Sequence, residues 1–118
     1  ETGAGQPDFD YRVKGSTAAI ANIVSGYAAL TSRVLSGISA ISTDTSIIRI
    51  NGIQAGSVSI DQGTGNYLAY PLYIGRRNNA TLPFNGRIYS LITRFGANLD
   101  ATTITDTETW VNGKTKAY

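Results

Sequence analysis

The dipeptide Asn51-Gly52 constrains the fold of this chain more than any other feature, because it separates two runs of β-forming residues. The run before it reads IIRI, and the run after it reads IQAGSVSI. A two-residue type I′ turn needs positive φ at both central positions, and Asn followed by Gly accepts this conformation readily. The sequence therefore predicts a β-hairpin over residues 47–60, with a bulge or a close backbone approach at Gly56.

Further strands are predicted on the N-terminal side of this hairpin. Residues 9–14 read FDYRVK and alternate strictly between apolar and polar, which is typical of a strand with one buried face. Residues 18–24 and 32–41 are apolar or small runs that also favour strands, although the first is equally compatible with a short helix. The turn formers of residues 61–66 indicate a loop after the hairpin.

The C-terminal half is predicted to add two more strands. Residues 72–74 form a short one that Gly75 ends, and residues 86–95 form the longest one in the chain. Ile88 and Ile92 share one face of this strand while other apolar residues occupy its second face. A strand that is apolar on both faces is typical of a two-sheet sandwich.

One helix is predicted, over residues 101–111. Asp100 or Thr102 supplies a capping side chain at its start, and Asn112-Gly113 supplies a stop signal. The apolar stripe at helical spacing is thin, and the many threonines lower helix propensity.

Composition excludes several chemistries. The chain contains no His and no Cys, so a zinc or copper site of ordinary type, a thiol nucleophile, a His-based triad and a disulfide framework are all excluded. The net charge is only +2, and Arg76-Arg77 is the one adjacent basic pair, which argues against nucleic acid as a partner. No apolar run reaches the roughly 20 residues that cross a bilayer, so no membrane partner is expected. Residues 1–8 are interpreted as a flexible leader or a remnant of cloning.

Several segments resemble one known family. The pattern LYIG at residues 72–75, followed by LPFNGRIY at residues 82–89, is similar to the signature of laminin-G/concanavalin A-like jelly rolls. Three segments more narrowly resemble the C-terminal part of bacteriophage structural proteins that carry such a domain: residues 61–67, 71–77 and 110–115. The resemblance covers residues 14–118.

The resemblance implies an all-β chain with one short C-terminal helix, in which residues 9–118 form one antiparallel two-sheet jelly roll. Phe84 is expected to plug one end of the sandwich and Ile88 to enter its core. Domains of the family are usually longer, so the chain looks like the C-terminal portion of one, with an open sheet edge. A strand edge and an apolar face left open favour a homo-oligomer, most simply a dimer.

Two functions follow from the resemblance. The first is a non-enzymatic structural or attachment module of the virion, in a tail or surface component, alongside other virion proteins. The alternative is a free-standing lectin-like module that recognises a glycan on the host surface. Sugar binding needs aromatic platforms with planar polar partners, and the candidates flank one predicted strand: Tyr67, Tyr70, Arg76, Arg77, Asn78 and Asn79. In the competing interpretation the tyrosines pack in the core or rim and the arginines serve solubility.

No catalytic pair of carboxylates is predicted. Glycosidases with this jelly roll use paired carboxylates on one strand. Asp106 and Glu108 lie in the predicted helix, where a spacing of two does not place them on one face, so both are expected on a solvated face. Asp8 and Asp10 share a strand face beside the leader, which we interpret as a chance pair. The chain is therefore not expected to be an enzyme.

No metal cofactor is predicted, although calcium is considered. Calcium needs six to eight oxygen ligands, and only Asp44 and Asp61 lie near plausible loop rims. The sequence Asn79-Ala80-Thr81 matches an N-glycosylation acceptor, which has meaning only after secretion from a eukaryotic cell.

Overall fold

The computed structural model describes residues 9–17, 19–28, 31–76 and 84–118. Their regular elements are five strands and one α-helix: β1 (Phe9–Lys14), β2 (Ala19–Val24), β3 (Leu35–Ala40), β4 (Thr45–Ile50), β5 (Ile53–Ser59) and α1 (Ala101–Thr115). A 3-10 turn (Ile41–Thr43) connects β3 to β4. Strands β3, β4 and β5 form a three-stranded antiparallel sheet in that order, and β1 pairs antiparallel with β2.

The predicted hairpin is confirmed as β4–β5. Asn51 and Gly52 have φ of 53° and 79°, as a type I′ turn requires. The register shifts between Ile48, which pairs with Gly56, and Arg49, which pairs with Gln54, so one extra residue lies in β5. This irregularity confirms the bulge that Gly56 indicated.

One face of the three-stranded sheet lies against the β1–β2 pair. Ile48 and Ile50, two of the most buried apolar residues among those described, point to this face. The ring of Tyr11 lies so close to Gly37 of β3 that a Cβ atom at position 37 would come within 2.5 Å of it. The Tyr11 hydroxyl lies 3.3 Å from Ser39 Oγ. Gly37 therefore makes room for an aromatic ring on the sheet.

The helix α1 lies on the opposite face. Cross-strand partners in an antiparallel sheet point the same way, and the partners Ser36 and Arg49 point away from Ile48. Both contact Glu108 of α1. The helix thus contacts one face of the sheet through Glu108, while the β1–β2 pair lies against the other face.

The start of α1 agrees with its prediction, but its end does not. Asp100 is the N-cap, and its Oδ1 accepts a hydrogen bond from the Thr103 amide at 2.9 Å. The predicted stop at Asn112-Gly113 is wrong, since the helix runs to Thr115 and its backbone turns left-handed at Lys116. The Asn112 side chain bonds both the amide and the carbonyl oxygen of Tyr118, so it links the last turn of the helix to residue 118.

The predicted jelly roll is wrong. The structure shows one three-stranded sheet with a C-terminal helix, and no two-sheet sandwich among the described residues. The strands predicted at residues 72–74 and 86–95 are irregular backbone. A sandwich needs such strands as a second sheet over the first. Here the β1–β2 pair lies against one face of the sheet, and α1 contacts the other face through Glu108. Within the described residues, no helix is long and apolar enough to cross a membrane.

Candidate functional site

Two of the predicted sugar-binding residues, Tyr67 and Tyr70, pack against the strands. The Tyr67 hydroxyl donates to Ser39 Oγ at 2.7 Å, and Lys14 Nζ lies 4.8 Å from the centre of the Tyr70 ring. Burial raises the pKa of the neighbouring Tyr11 hydroxyl, although its hydrogen bond to Ser39 opposes this shift. These contacts attach the loop after β5 to β1 and β3, while Tyr67 and Tyr70 remain 41 % and 56 % exposed.

Of the other four predicted sugar-binding residues, the structure describes only one. Arg76 is exposed, while Arg77, Asn78 and Asn79 lie outside the described residues, as does the glycosylation motif that begins at Asn79. Sugar binding by this set of residues therefore stays a prediction.

The carboxylates take different roles from those expected. Asp10 pairs with Arg12 on β1, with 2.6 Å between Oδ2 and Nε, and Asp8 lies outside the described residues. Asp106 is exposed, as expected for a solvated helix face. Glu108 was expected on that face as well. This expectation is wrong, because Glu108 is only 2 % exposed.

Glu108 forms a bidentate ion pair with Arg49. Arg49 Nε donates to Oε1 and Nη2 donates to Oε2, both at 2.8 Å, and Nη2 also donates to the Gly52 carbonyl at 2.6 Å. Burial by itself would raise the pKa of Glu108. The hydrogen bonds from Arg49 and Ser36 and the charge of Arg49 outweigh burial and lower that pKa. The same pairing raises the pKa of Arg49. Both groups therefore stay ionised, and the pair joins helix, sheet and hairpin turn.

The two carboxylates considered for calcium line one cleft of about 340 Å³. Asp44 Oδ1 accepts from the Gln62 amide at 2.9 Å, and Asp61 Oδ1 accepts from the Gly63 amide at 2.8 Å. Within the part of the chain that the structure describes, no group of three or more metal-ligating side chains occurs. The observed role of both carboxylates is to hold the backbone of this loop, and calcium binding is untested.

An exposed run of large apolar side chains lies between the loop and the helix. We call residues 84–95 the apolar segment. Phe84 and Ile88, which were expected in a core, are 52 % and 54 % exposed, so that expectation is wrong. Four more large side chains of the segment are exposed as well: Tyr89, Leu91, Ile92 and Phe95. The Phe84 amide donates to the Gly75 carbonyl at 2.6 Å, which places the segment beside the equally exposed residues 72–74.

Most of the exposed large apolar side chains among the described residues lie on the apolar segment and on residues 67–74.

Sequence reasoning missed the ion pair of Arg49 and Glu108, because its two members are 59 residues apart. A local signal did exist, since Arg49 stands on a strand among isoleucines, where an unpaired charge is costly. That signal does not identify the partner. No protein-family model, curated protein or solved structure matches the chain.

Proposed function

We propose that this chain is a non-enzymatic structural or attachment module of a bacteriophage particle and that it acts as a homodimer. The observation that carries the proposal is the exposed apolar segment. The class of protein comes from a different feature, the resemblance of three other segments to phage structural proteins. These segments are residues 61–67, 71–77 and 110–115.

The apolar segment needs a partner. Monomeric soluble proteins rarely expose contiguous apolar patches of more than a few hundred Å², and larger ones mark interaction sites. Six large side chains of the segment are exposed, and only Arg87 and Arg94 are charged among its residues. Covering this segment removes apolar surface from water, which favours association.

A second copy of the chain is the occupant that the low charge content favours. A symmetric dimer of standard size buries about 800 Å² on each partner, and the exposed side chains of the apolar segment would form the apolar centre of such a contact. Charged residues make up only 15 % of the chain, so electrostatic repulsion between copies is small. A two-fold dimer is also the smallest closed assembly.

The oligomeric state tests the assembly part of the proposal. Sedimentation velocity at micromolar concentration is expected to show a dimer of the parent chain and a monomer of the variant Ile88→Asp/Ile92→Asp. The matched control is Ile53→Asp, since Ile53 is 73 % exposed but lies on β5, and it should stay dimeric. A monomeric parent, or a dimer that survives the double substitution, would contradict the proposal.

A second measurement tests the particle. Antibodies against the chain are expected to label purified particles of the phage that encodes it, as seen in electron micrographs. Particles that contain no copy of the chain would overturn the virion assignment.

A free-standing carbohydrate-binding module is the second candidate. The observation that favours it is a cleft lined by exposed aromatic side chains on α1 and the apolar segment. Glycan binding by a chain that is absent from particles would support this candidate over the first.

A further inference from the structure

One side of α1 forms a wall of a cleft. Trp110 and Lys114 are four residues apart, as are Val111 and Thr115, so their side chains form one stripe along the helix. This stripe lines a cleft of about 490 Å³ together with Tyr89, Ser90 and Ser32. The volume lies within the range of clefts that hold small ligands.

Two aromatic rings in this cleft are open to solvent. Trp110 is 57 % exposed and Tyr89 is 70 % exposed. Such rings combine an apolar face with a polar group. A sugar ring has one face of C–H groups and a rim of hydroxyls, so it can stack on the indole while its hydroxyls bond the serines. Ser32, Ser90 and Lys114 are exposed at the cleft and offer hydrogen bonds that a sugar uses and a purely apolar occupant does not.

The positive charge of Lys114 in the cleft favours sugars that carry a carboxylate over neutral sugars. Lys114 Nζ lies 5.7 Å from the centre of the Trp110 ring, so the cation and the stacking surface adjoin each other. None of the described residues that line the cleft carries a carboxylate. A carboxylate on a stacked sugar therefore finds a positive charge beside the indole and no negative charge in the lining.

We propose that this cleft binds an acidic sugar, a pyranose that carries a carboxylate. The inference rests on the attachment role within the proposed function, because it gives that role a ligand class and a site, and it requires a dimer contact through Ile88 and Ile92 that leaves Tyr89 and Ser90 open. The site differs from the one predicted around Tyr67 and Tyr70.

The chain provides its own probe, because Trp110 is its single tryptophan. Tryptophan fluorescence is expected to change saturably when glucuronic acid or N-acetylneuraminic acid is added, and to respond more weakly to glucose. The variant Lys114→Gln should bind both acidic sugars about fivefold more weakly, the size expected for one exposed charge pair. Lys116→Gln is the matched control, since it removes the same charge from a residue outside the cleft lining, and it should bind like the parent. Calorimetry on Trp110→Ala should detect no binding.

Three results would overturn the inference. They are no saturable response to either acidic sugar, equal affinity for acidic and neutral sugars, and an equal loss of affinity in the two lysine variants. Sedimentation of the same samples separates this inference from the proposed assembly. A dimer that binds no acidic sugar would overturn the inference alone, and a monomer that binds acidic sugars would overturn the assembly alone.

Discussion

Arg49 and Glu108 together attach α1 to the sheet. The guanidinium of Arg49 on β4 donates to both carboxylate oxygens of Glu108 on α1 at 2.8 Å. The side chain of Glu108 is 3 % exposed and that of Arg49 is 20 % exposed. Glu108 is the one buried residue among the described residues of the helix. The helix therefore depends on this ion pair more than on apolar packing.

Removal of one partner of this pair is expected to destabilise the fold. Glu108→Ala leaves a largely buried guanidinium without its counter-charge, which should cost about 3 kcal/mol of unfolding free energy. Asp106→Ala is the control, because Asp106 is exposed on the same helix, and it should change stability by less than about 0.5 kcal/mol. Urea unfolding measures both values. The variant Arg49→Leu/Glu108→Leu should recover much of the loss, since apolar pairs replace buried ion pairs at little cost. Similar losses for Glu108→Ala and Asp106→Ala would show that the ion pair contributes nothing.

Stability is expected to fall at acidic pH. Burial tends to raise the pKa of Glu108, but Arg49 and Ser36 hold it below its usual value of 4.5. A carboxyl with a lowered pKa in the folded state stabilises the fold above its unfolded pKa. That stabilisation is lost as the pH falls through the folded pKa. The pKa of Asp100 is also lowered, by its hydrogen bonds to Thr103, and acts in the same direction.

The expected result is a constant contribution from Glu108 above about pH 5 and a progressive loss below pH 4.5. Unfolding by urea at a series of pH values measures it. Glu108→Gln should unfold with a weaker dependence on pH in this window. If the pH profiles of the parent and this variant were parallel, Glu108 would not be the titrating group.

Two glycines should respond to substitution with opposite signs. Gly52 has φ of 79° in the hairpin turn, and a Cβ there would lie 3.2 Å from the Tyr118 hydroxyl. Gly52→Val should therefore cost about 1–2 kcal/mol or more. Gly113 lies in α1 with open space around it. Gly113→Ala should raise stability by about 0.5 kcal/mol, because alanine favours helix. Thermal melts of the two variants in opposite directions would confirm both assignments, and a neutral Gly52→Val would contradict the type I′ turn.

The core and the apolar segment should differ in sensitivity. Ile48 is 3 % exposed in the centre of the sheet, so Ile48→Ala should cost about 2–5 kcal/mol. Phe84→Ala removes a larger side chain from an exposed position and should cost less than about 1 kcal/mol in dilute, monomeric protein. Urea unfolding at several protein concentrations separates the two effects. A loss for Phe84→Ala in dilute protein as large as that for Ile48→Ala would mean that Phe84 is buried within one chain.

Local signals predicted much of the first sixty residues and the start of α1. The alternation in FDYRVK, the Asn-Gly turn and the Asp100 cap each depend on backbone conformations within a few residues, so their patterns are readable along the chain. The same reasoning failed at residues 86–95. A strand there requires another strand to bond its backbone and two apolar layers to cover its faces, and no local pattern guarantees either.

The sequence by itself determined where the β4–β5 hairpin turns, where α1 begins, and which chemistries the absence of His and Cys excludes. The tertiary structure alone decided that Glu108 is buried against Arg49, that Gly37 receives the ring of Tyr11, and that the apolar segment stays exposed. The physical reason is the range of the forces involved. Turns and caps depend on φ, ψ and neighbouring hydrogen bonds, whereas burial and ion pairing depend on which distant residues the fold brings within a few ångströms.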